Sequence, residues 1–155
     1  MRAVPVSACL LVVVMSVLEA QAAATTTAQA LVWGPAPAAF PPGAKMAVVS
    51  GDPSKRAPFT VQLALPAGYK VAPHFHPTAE LVEVKQGTVL MGMGDAFDLS
   101  KAQAMVVGVK TVVPAKLHHY ASTKGATVIA ITALGPFAIT YVNPADDPQQ
   151  AAAKH

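Results

Sequence analysis

The chain has 155 residues, a formal net charge of +3 and a charged fraction of only 12%. That length suits one domain with an apolar core, and the hydrophobic fraction of 53% is too high for an intrinsically disordered chain. The lysines are scattered singly and form no basic run, so the positive charge does not indicate nucleic-acid binding. We therefore expect a single folded domain that binds no nucleic acid.

The N-terminus up to Ala22 has the pattern of a secretory signal peptide. Arg2 supplies a positive start, residues 8–18 are apolar but short for a membrane span, and residues 20–22 offer a small-x-small cleavage site. Cleavage after Ala22 would remove Cys9, the single cysteine, so the mature chain would have no thiolate ligand, disulfide or cysteine nucleophile. We predict a periplasmic or secreted protein without a stable membrane anchor.

Beyond this segment, short β-type runs separated by Gly and Pro predict an all-β domain. After the signal peptide at 1–22, we predict a flexible lead-in over 23–44, a β-barrel over 45–143 and a loose C-terminal tail over 144–155. The predicted strands are 46–50, 59–65, 80–85, 88–93, 105–107, 111–113, 127–134 and 137–142. Only 98–105 has a helical pattern, with Asp98 or Ser100 as its N-cap. Many short strands without long helices between them indicate a barrel or a jelly roll of two sheets.

Two groups of histidines form a candidate metal site. His74 and His76 are two residues apart, so in an extended strand both side chains point to one face, and Glu80 begins the next apolar run after a bend. A third imidazole could come from His118 or His119, farther along the chain. Three imidazoles and a carboxylate suit Fe, Mn, Ni, Cu or Zn and are poor ligands for Ca or Mg. The pattern therefore predicts a nitrogen-rich site for one divalent transition metal.

The spacing of these residues resembles that of the cupin superfamily, and the runs at 87–98 and 135–144 resemble those of its small, single-domain exported members. The first cupin motif, G-x5-H-x-H-x3-E-x6-G, is matched by Gly68, His74, His76, Glu80 and Gly87. The second, G-x5-P-x-G-x2-H-x3-N, is matched by Gly108, Pro114 and His119, with Lys116 replacing its glycine and Thr123 replacing its asparagine. The resemblance covers residues 60–131, which is most of the predicted mature chain.

The resemblance implies an all-β cupin double-stranded β-helix, a jelly-roll barrel with one metal inside. The positions that would bind the metal are His74, His76, Glu80 and His119. Motif spacing favours His119 over His118, which lies one residue off in strand parity. Lys116 puts the local geometry around His119 in question, because a lysine resists the positive φ that glycine tolerates.

The resemblance indicates one fold but is compatible with several functions. Cupins with this ligand set include dioxygenases, decarboxylases, lyases and isomerases, so we expect a small-molecule substrate or ligand and favour dioxygenase or other oxidoreductase chemistry. The alternatives are a metal-dependent lyase or isomerase, and a non-catalytic protein that binds or senses a metal or small ligand. No further cofactor is indicated, and Glu80 is the candidate base if one is needed. By analogy with cupins that pair through sheet edges, a homodimer is also expected.

Overall fold

The computed structural model of the chain describes residues 30–152, so the predicted signal peptide lies outside the described residues. Its strands are β1 (Gly34–Pro35), β2 (Lys45–Ser50), β3 (Pro58–Leu65), β4 (Lys70–Phe75), β5 (Glu80–Gln86), β6 (Thr88–Met93), β7 (Gln103–Val106), β8 (Lys110–Val113), β9 (His119–Thr123), β10 (Thr127–Leu134) and β11 (Thr140–Tyr141). A 3-10 helix (Pro144–Asp146) and the short helix α1 (Pro148–Ala152) follow. Among the described residues, no helix is both long and apolar enough to cross a membrane.

The strands form two antiparallel sheets that face each other across the core. One sheet has the order β1-β2-β3-β10-β5-β8, and the other has the order β11-β4-β9-β6-β7. Strand β3 pairs with β10, β4 with β9, β5 with β8 and β6 with β7, so the pairs are nested in the sequence. Nested antiparallel pairs divided between two sheets form a jelly roll, and the all-β prediction is confirmed.

Alternating apolar residues direct the sheets to their shared core. In β3, Phe59, Val61, Leu63 and Leu65 are buried, while the residues between them are partly exposed. Because successive side chains of a strand point to opposite faces, this alternation places one face of the strand inside the barrel. Each fully buried side chain of this size contributes about 1.5–3 kcal/mol to folding before entropy is counted.

The prediction of a helical segment at 98–105 is wrong. The Asp98 carboxylate accepts hydrogen bonds from the backbone N–H of Ser100 (3.0 Å) and from its hydroxyl (2.6 Å), so the expected cap closes a turn instead. From Gln103 the chain pairs with β6 as an edge strand, which satisfies its backbone groups without a helix. The strand predicted at 137–142 is shorter in the structure, where only Thr140–Tyr141 form a strand, β11.

The lysine that replaces the glycine of the second motif keeps the conformation of a glycine. Lys116 has a φ of 62°, in the left-handed region, and its backbone N–H donates to the carbonyl oxygen of His76 at 2.9 Å. The turn before β9 is therefore fastened directly to a predicted metal ligand. The turn therefore forms even though lysine tolerates the left-handed conformation poorly.

We predict that Lys116→Gly stabilises the protein by up to about 1 kcal/mol. Glycine relieves a left-handed strain of about 1–2 kcal/mol, and part of this gain is offset by the greater entropy of glycine in the unfolded chain. Denaturant unfolding of the metal-free protein measures the difference. Lys116→Ala is the matched control, since it removes the same long side chain but keeps the strained Cβ. Equal stability of the two variants would contradict the explanation.

Thr123, which replaces the asparagine of the second motif, fastens the turn before β4. Its hydroxyl donates to the carbonyl oxygen of Pro66 at 2.6 Å and accepts a hydrogen bond from the backbone N–H of Tyr69 at 2.9 Å. Thr123 is buried, so these bonds satisfy a polar group that would otherwise destabilise the core. Both departures from the motif thus preserve the turns that orient the histidine-bearing strands.

Candidate metal centre

Neighbouring strands bring the four predicted ligands to one place inside the barrel. His74 on β4 lies directly opposite His119 on β9, His76 follows the end of β4, and Glu80 begins β5 in the facing sheet. Their side chains are almost inaccessible to solvent, with exposed fractions of 5%, 2%, 5% and 3% in that order. Polar residues this deeply buried need partners, and each of the three histidines has a backbone partner.

Backbone carbonyl groups fix the orientation of all three imidazoles. His74 Nδ1 lies 2.7 Å from the carbonyl oxygen of Ala72, and His119 Nδ1 lies 3.0 Å from that of Leu117. His76 Nδ1 lies 2.7 Å from the carbonyl oxygen of Ala138. Since a carbonyl can only accept, each Nδ1 carries the proton, and each Nε2 presents a lone pair. This tautomer is the one in which Nε2 can bind a metal.

The imidazoles converge closely enough to hold one ion. One ligand atom from each of His74, His76 and His119 lies within 4.8 Å of the other two. The ring centroids of His74 and His119 are 4.2 Å apart, and that of His76 is 5.1 Å from His74. These three histidines form a group that could hold a metal ion.

Glu80 lies beside the three histidines, and its carboxylate lacks part of its hydrogen bonding. Its Oε1 is 3.4 Å from His119 Nε2, and its Oε2 is 3.5 Å from His76 Nε2. Oε2 is buried and has no hydrogen-bond partner. A buried oxygen without a partner costs about 1–3 kcal/mol, and more when it is charged. A divalent cation among the imidazoles would remove that cost, so the donor set fits a metal.

His118, the alternative to His119, lies in a different environment. Its Nδ1 forms a 2.6 Å contact with Asp95 Oδ1, and its ring stacks on Phe75 with centroids 5.1 Å apart. His118 is partly exposed and Asp95 is exposed, and neither lines the cavity of the three histidines. His118 directly precedes β9, and its side chain points away from that of His119, as adjacent residues of an extended chain do.

Burial changes the protonation of the histidines in the metal-free protein. Removal from water holds the pKa of His74 well below its usual 6.5, and the nearby His119 and His76 lower it further. Burial also lowers the pKa of His76, against the raising effect of the Glu80 carboxylate. Both rings are therefore neutral at neutral pH, which is the state that binds a metal.

We predict that the metal-free protein becomes less stable as the pH falls below about 6.5. Since the folded-state pKa values of His74 and His76 lie below those of the unfolded chain, the unfolded state binds more protons in that range. Their contribution is constant above about pH 7.5 and falls progressively on acidification. Denaturant midpoints measured across this range test it, and a His74→Gln variant should show a shallower decline. A wild-type midpoint that does not change on acidification would contradict the prediction.

An apolar cavity encloses the histidines and Glu80. Its free volume is about 40 Å³, enough for about three water molecules. Apart from His74, His76, Glu80 and His119, the lining residues are Phe40, Leu63, Leu65, Val71, Val82, Val89, Met91, Ala121, Ile129, Ile131 and Phe137. Within the part of the chain that the structure describes, this lining includes no lysine, arginine or hydroxyl group.

Two aromatic residues of this lining are absent from the sequence-based site. Phe137 stacks on the His76 ring, with centroids 5.4 Å apart and planes inclined by 14°. Phe40 in turn stacks on Phe137 at 6.0 Å. Phe40 falls in a run rich in Ala and Pro, where one aromatic residue carries no recognisable signal. The Gly135-Pro136 pair before Phe137 indicates only a chain break.

No protein-family model matches the sequence, and neither does any curated protein. Solved structures are similar in fold. A candidate acetylacetone dioxygenase from Methylibium petroleiphilum has a TM-score of 0.58 at 22% identity, covering 76% of this chain and 79% of that one. The polyketide cyclase RemF from Streptomyces resistomycificus has a TM-score of 0.57 at 14% identity, covering 71% and 78%.

A cupin superfamily protein from Desulfitobacterium hafniense has a TM-score of 0.50 at 15% identity, covering 59% of this chain and 76% of that one. An RmlC-like cupin from Shewanella frigidimarina has the same TM-score at 16% identity, with the same two coverages. These likenesses agree with the nested strand pairs and the two sheets described above. The chain therefore has the fold of the cupin superfamily, the double-stranded β-helix.

Proposed function

We propose that the chain binds one transition metal through His74, His76, Glu80 and His119 and acts on a small, uncharged molecule at that metal. One observation carries the proposal. Three Nε2 lone pairs and one carboxylate oxygen without a hydrogen-bond partner converge in a buried cavity whose other walls are apolar. Burying four such groups together destabilises a fold unless something binds them, and perturbed, converging polar groups in an apolar pocket are typical of functional sites.

The lining of the cavity indicates the class of ligand. A sugar acid or other hydroxylated acid could place its carboxylate on the metal, but its hydroxyl groups would need hydrogen-bond partners in the wall, because unpaired polar groups are costly to bury. The other lining residues supply no such partner, and Arg56 is exposed on a loop and does not line the cavity. We therefore favour neutral ligands that coordinate through their own oxygens, such as diones and catechols. The fold relative named as a candidate acetylacetone dioxygenase points to the same class.

The residues of the site suit proton transfer from such a ligand. When bound, the metal would supply Lewis acidity and, if redox-active, chemistry with dioxygen. Glu80 can accept the acidic proton of a dione or a catechol if its carboxylate leaves the metal, since Oε2 then has no other hydrogen-bond partner. The carbonyl partners of the Nδ1 atoms hold the imidazoles in one tautomer, and the apolar walls exclude water. This arrangement favours dioxygenase or other oxidoreductase chemistry, with lyase or isomerase chemistry as the alternative.

The identity of the metal is part of the proposal. A nitrogen-rich site without sulfur, in free competition, prefers Cu and Zn over Fe and Mn. If the chain is exported, as we predict from its N-terminus, and folds only outside the cytoplasm, it meets the metals there under such competition. We therefore expect Zn or Cu in protein isolated from its own host, and Fe or Mn if these are delivered. Mass spectrometric metal analysis of that protein distinguishes these outcomes.

Ligand binding and turnover by metal-loaded protein test the proposed function. Protein loaded separately with Fe, Mn, Cu or Zn is mixed with acetylacetone, catechol, lactate or a sugar acid, while oxygen uptake and ligand loss are followed. We expect binding and turnover for a dione or catechol, and neither for the acids. The matched controls are His76→Ala, which removes a ligand, and Arg56→Ala, which removes the exposed arginine.

Two results would redirect the proposal. If the chain binds metal tightly but converts none of these compounds, the non-catalytic alternative, a metal or small-ligand binding protein, gains support. The small free volume of the cavity already favours that alternative over an enzyme for large substrates. If lactate or the sugar acid binds better than acetylacetone and Arg56→Ala abolishes that binding, the assignment of a neutral ligand is wrong.

A further inference from the structure

We propose that the loop at residues 36–44, between β1 and β2, is a cap on the metal cavity and that Phe40 sets the size of ligand the cavity admits. This inference rests on the proposed function, because it concerns access to the same site. The loop precedes the region covered by the cupin motifs, yet Phe40 is part of the cavity wall and is only 8% exposed. The loop thus contributes a residue to a site otherwise built by the barrel.

The cap is fastened to the opposite sheet. Strand β1 lies at the edge of the six-stranded sheet, while Tyr141 is on β11, the edge of the other sheet. The Tyr141 hydroxyl donates to the carbonyl oxygen of Ala39 at 2.8 Å, and the Tyr69 hydroxyl donates to that of Pro41. These two bonds flank Phe40 on either side, so the loop closes the gap between the sheets with Phe40 facing inwards.

The stack of aromatic rings connects the cap to the metal site. Phe40 lies on Phe137, and Phe137 lies on His76, whose Nδ1 bonds to the residue following Phe137. The free volume of about 40 Å³ holds only a few waters, so even a compact dione needs side chains to move. Phe40 is the wall residue on a loop held by two side-chain bonds, whereas most of the lining belongs to the strands of the two sheets. Loops of this kind open more readily than the sheets they cover.

A pair of diones that differ only in bulk tests the proposal. Acetylacetone and dibenzoylmethane share one chelating group, but the second replaces the methyl groups with phenyl rings. Their binding to Co(II)-loaded protein is followed by the Co(II) absorption spectrum, for wild type, Phe40→Leu and Phe40→Ala. We expect wild type to prefer acetylacetone, and the preference to shrink in the order Phe, Leu, Ala at position 40. Val32→Ala is the control, since Val32 precedes the cap and is 85% exposed.

The rate of metal removal gives a second readout that needs no bound dione. Phenanthroline should remove Co(II) from Phe40→Ala at least ten-fold faster than from wild type. A ten-fold rise in rate corresponds to about 1.4 kcal/mol, and truncating a buried phenylalanine typically removes more stabilisation than that. Tyr69→Phe loosens the cap without changing the cavity wall, so its rate of Co(II) removal should lie between those of wild type and Phe40→Ala. Phe40→Leu keeps the test informative if the alanine variant folds poorly.

The outcomes separate this proposal from the proposed function. If all the variants bind Co(II) but keep the wild-type dione preference and removal rate, Phe40 is only a packing residue and the cap is wrong. If wild type binds no Co(II), the metal site fails and the cap fails with it. If the dione preference and the removal rate change progressively from Phe to Leu to Ala at position 40, while each variant binds the same amount of Co(II) per chain, the cap is supported.

Discussion

His119→Ala should lower the affinity of the chain for its metal at least about ten-fold, whereas His118→Ala should leave it nearly unchanged. His119 is 2% exposed and presents Nε2 to His74, His76 and Glu80, while its Nδ1 is held by a backbone carbonyl. Losing this side chain would remove a proposed direct ligand, and losing even an outer partner of a ligand typically costs ten-fold or more.

The adjacent histidine makes this comparison unusually well matched. His118 differs from its neighbour by one position, and its ring contacts Asp95 and Phe75 at the surface. Competition with a chromophoric chelator measures both variants at one pH and one salt concentration. If only His118→Ala empties the site, the ligand assignment is wrong, and if both variants lose affinity equally, the local fold of β9 rather than coordination determines binding.

Metal at about one hundred times its dissociation constant should raise the free energy of unfolding by about 2.7 kcal/mol, which corresponds to roughly 10 °C in Tm. A ligand that binds only the folded state stabilises it by mass action, and the three histidines and Glu80 come together only in the folded chain. The effect should be smaller in Glu80→Gln, because the amide provides no charge to neutralise the metal and binds it less tightly.

Glu83 supplies the control for this comparison. It lies on the same strand as Glu80 but on the opposite face, where its carboxylate contacts Lys85 at 2.9 Å and Lys110 at 3.5 Å. Glu83→Gln should therefore retain the full rise in Tm on addition of metal. An equal rise in wild type and Glu80→Gln would remove Glu80 from the ligand set and leave a site of three histidines.

The sequence predicts the barrel and the meeting of His74 and His76 in one place because both depend on local regularities. Alternation in the run from Phe59 to Leu65 determines which face of β3 is buried, and the structure has that alternation. The spacing of His74, His76 and Glu80 reflects a strand, a bend and a returning strand, so it brings the three side chains together. The one-residue step from His118 to His119, at the start of β9, turns the two side chains to opposite sides for the same reason.

The features that the sequence does not predict depend on contacts between distant parts of the chain. The helical pattern at 98–105 loses to pairing of β7 with β6, which satisfies the backbone through a partner strand. Phe40 lies in the cavity wall, and Tyr69 and Tyr141 donate hydrogen bonds to the residues on either side of it. Neither tyrosine forms a pattern with Phe40 along the sequence, so composition and spacing cannot reveal the contact.

X-ray absorption spectroscopy at the metal edge, on protein loaded with one equivalent of Zn, shows directly which side chains bind the metal. We expect a first shell of nitrogen and oxygen only, with the outer-shell scattering of three imidazoles in wild type and of two in His119→Ala. A first shell with fewer than three imidazoles in wild type would contradict a site built by His74, His76 and His119. An identical spectrum for wild type and His119→Ala would equally contradict it.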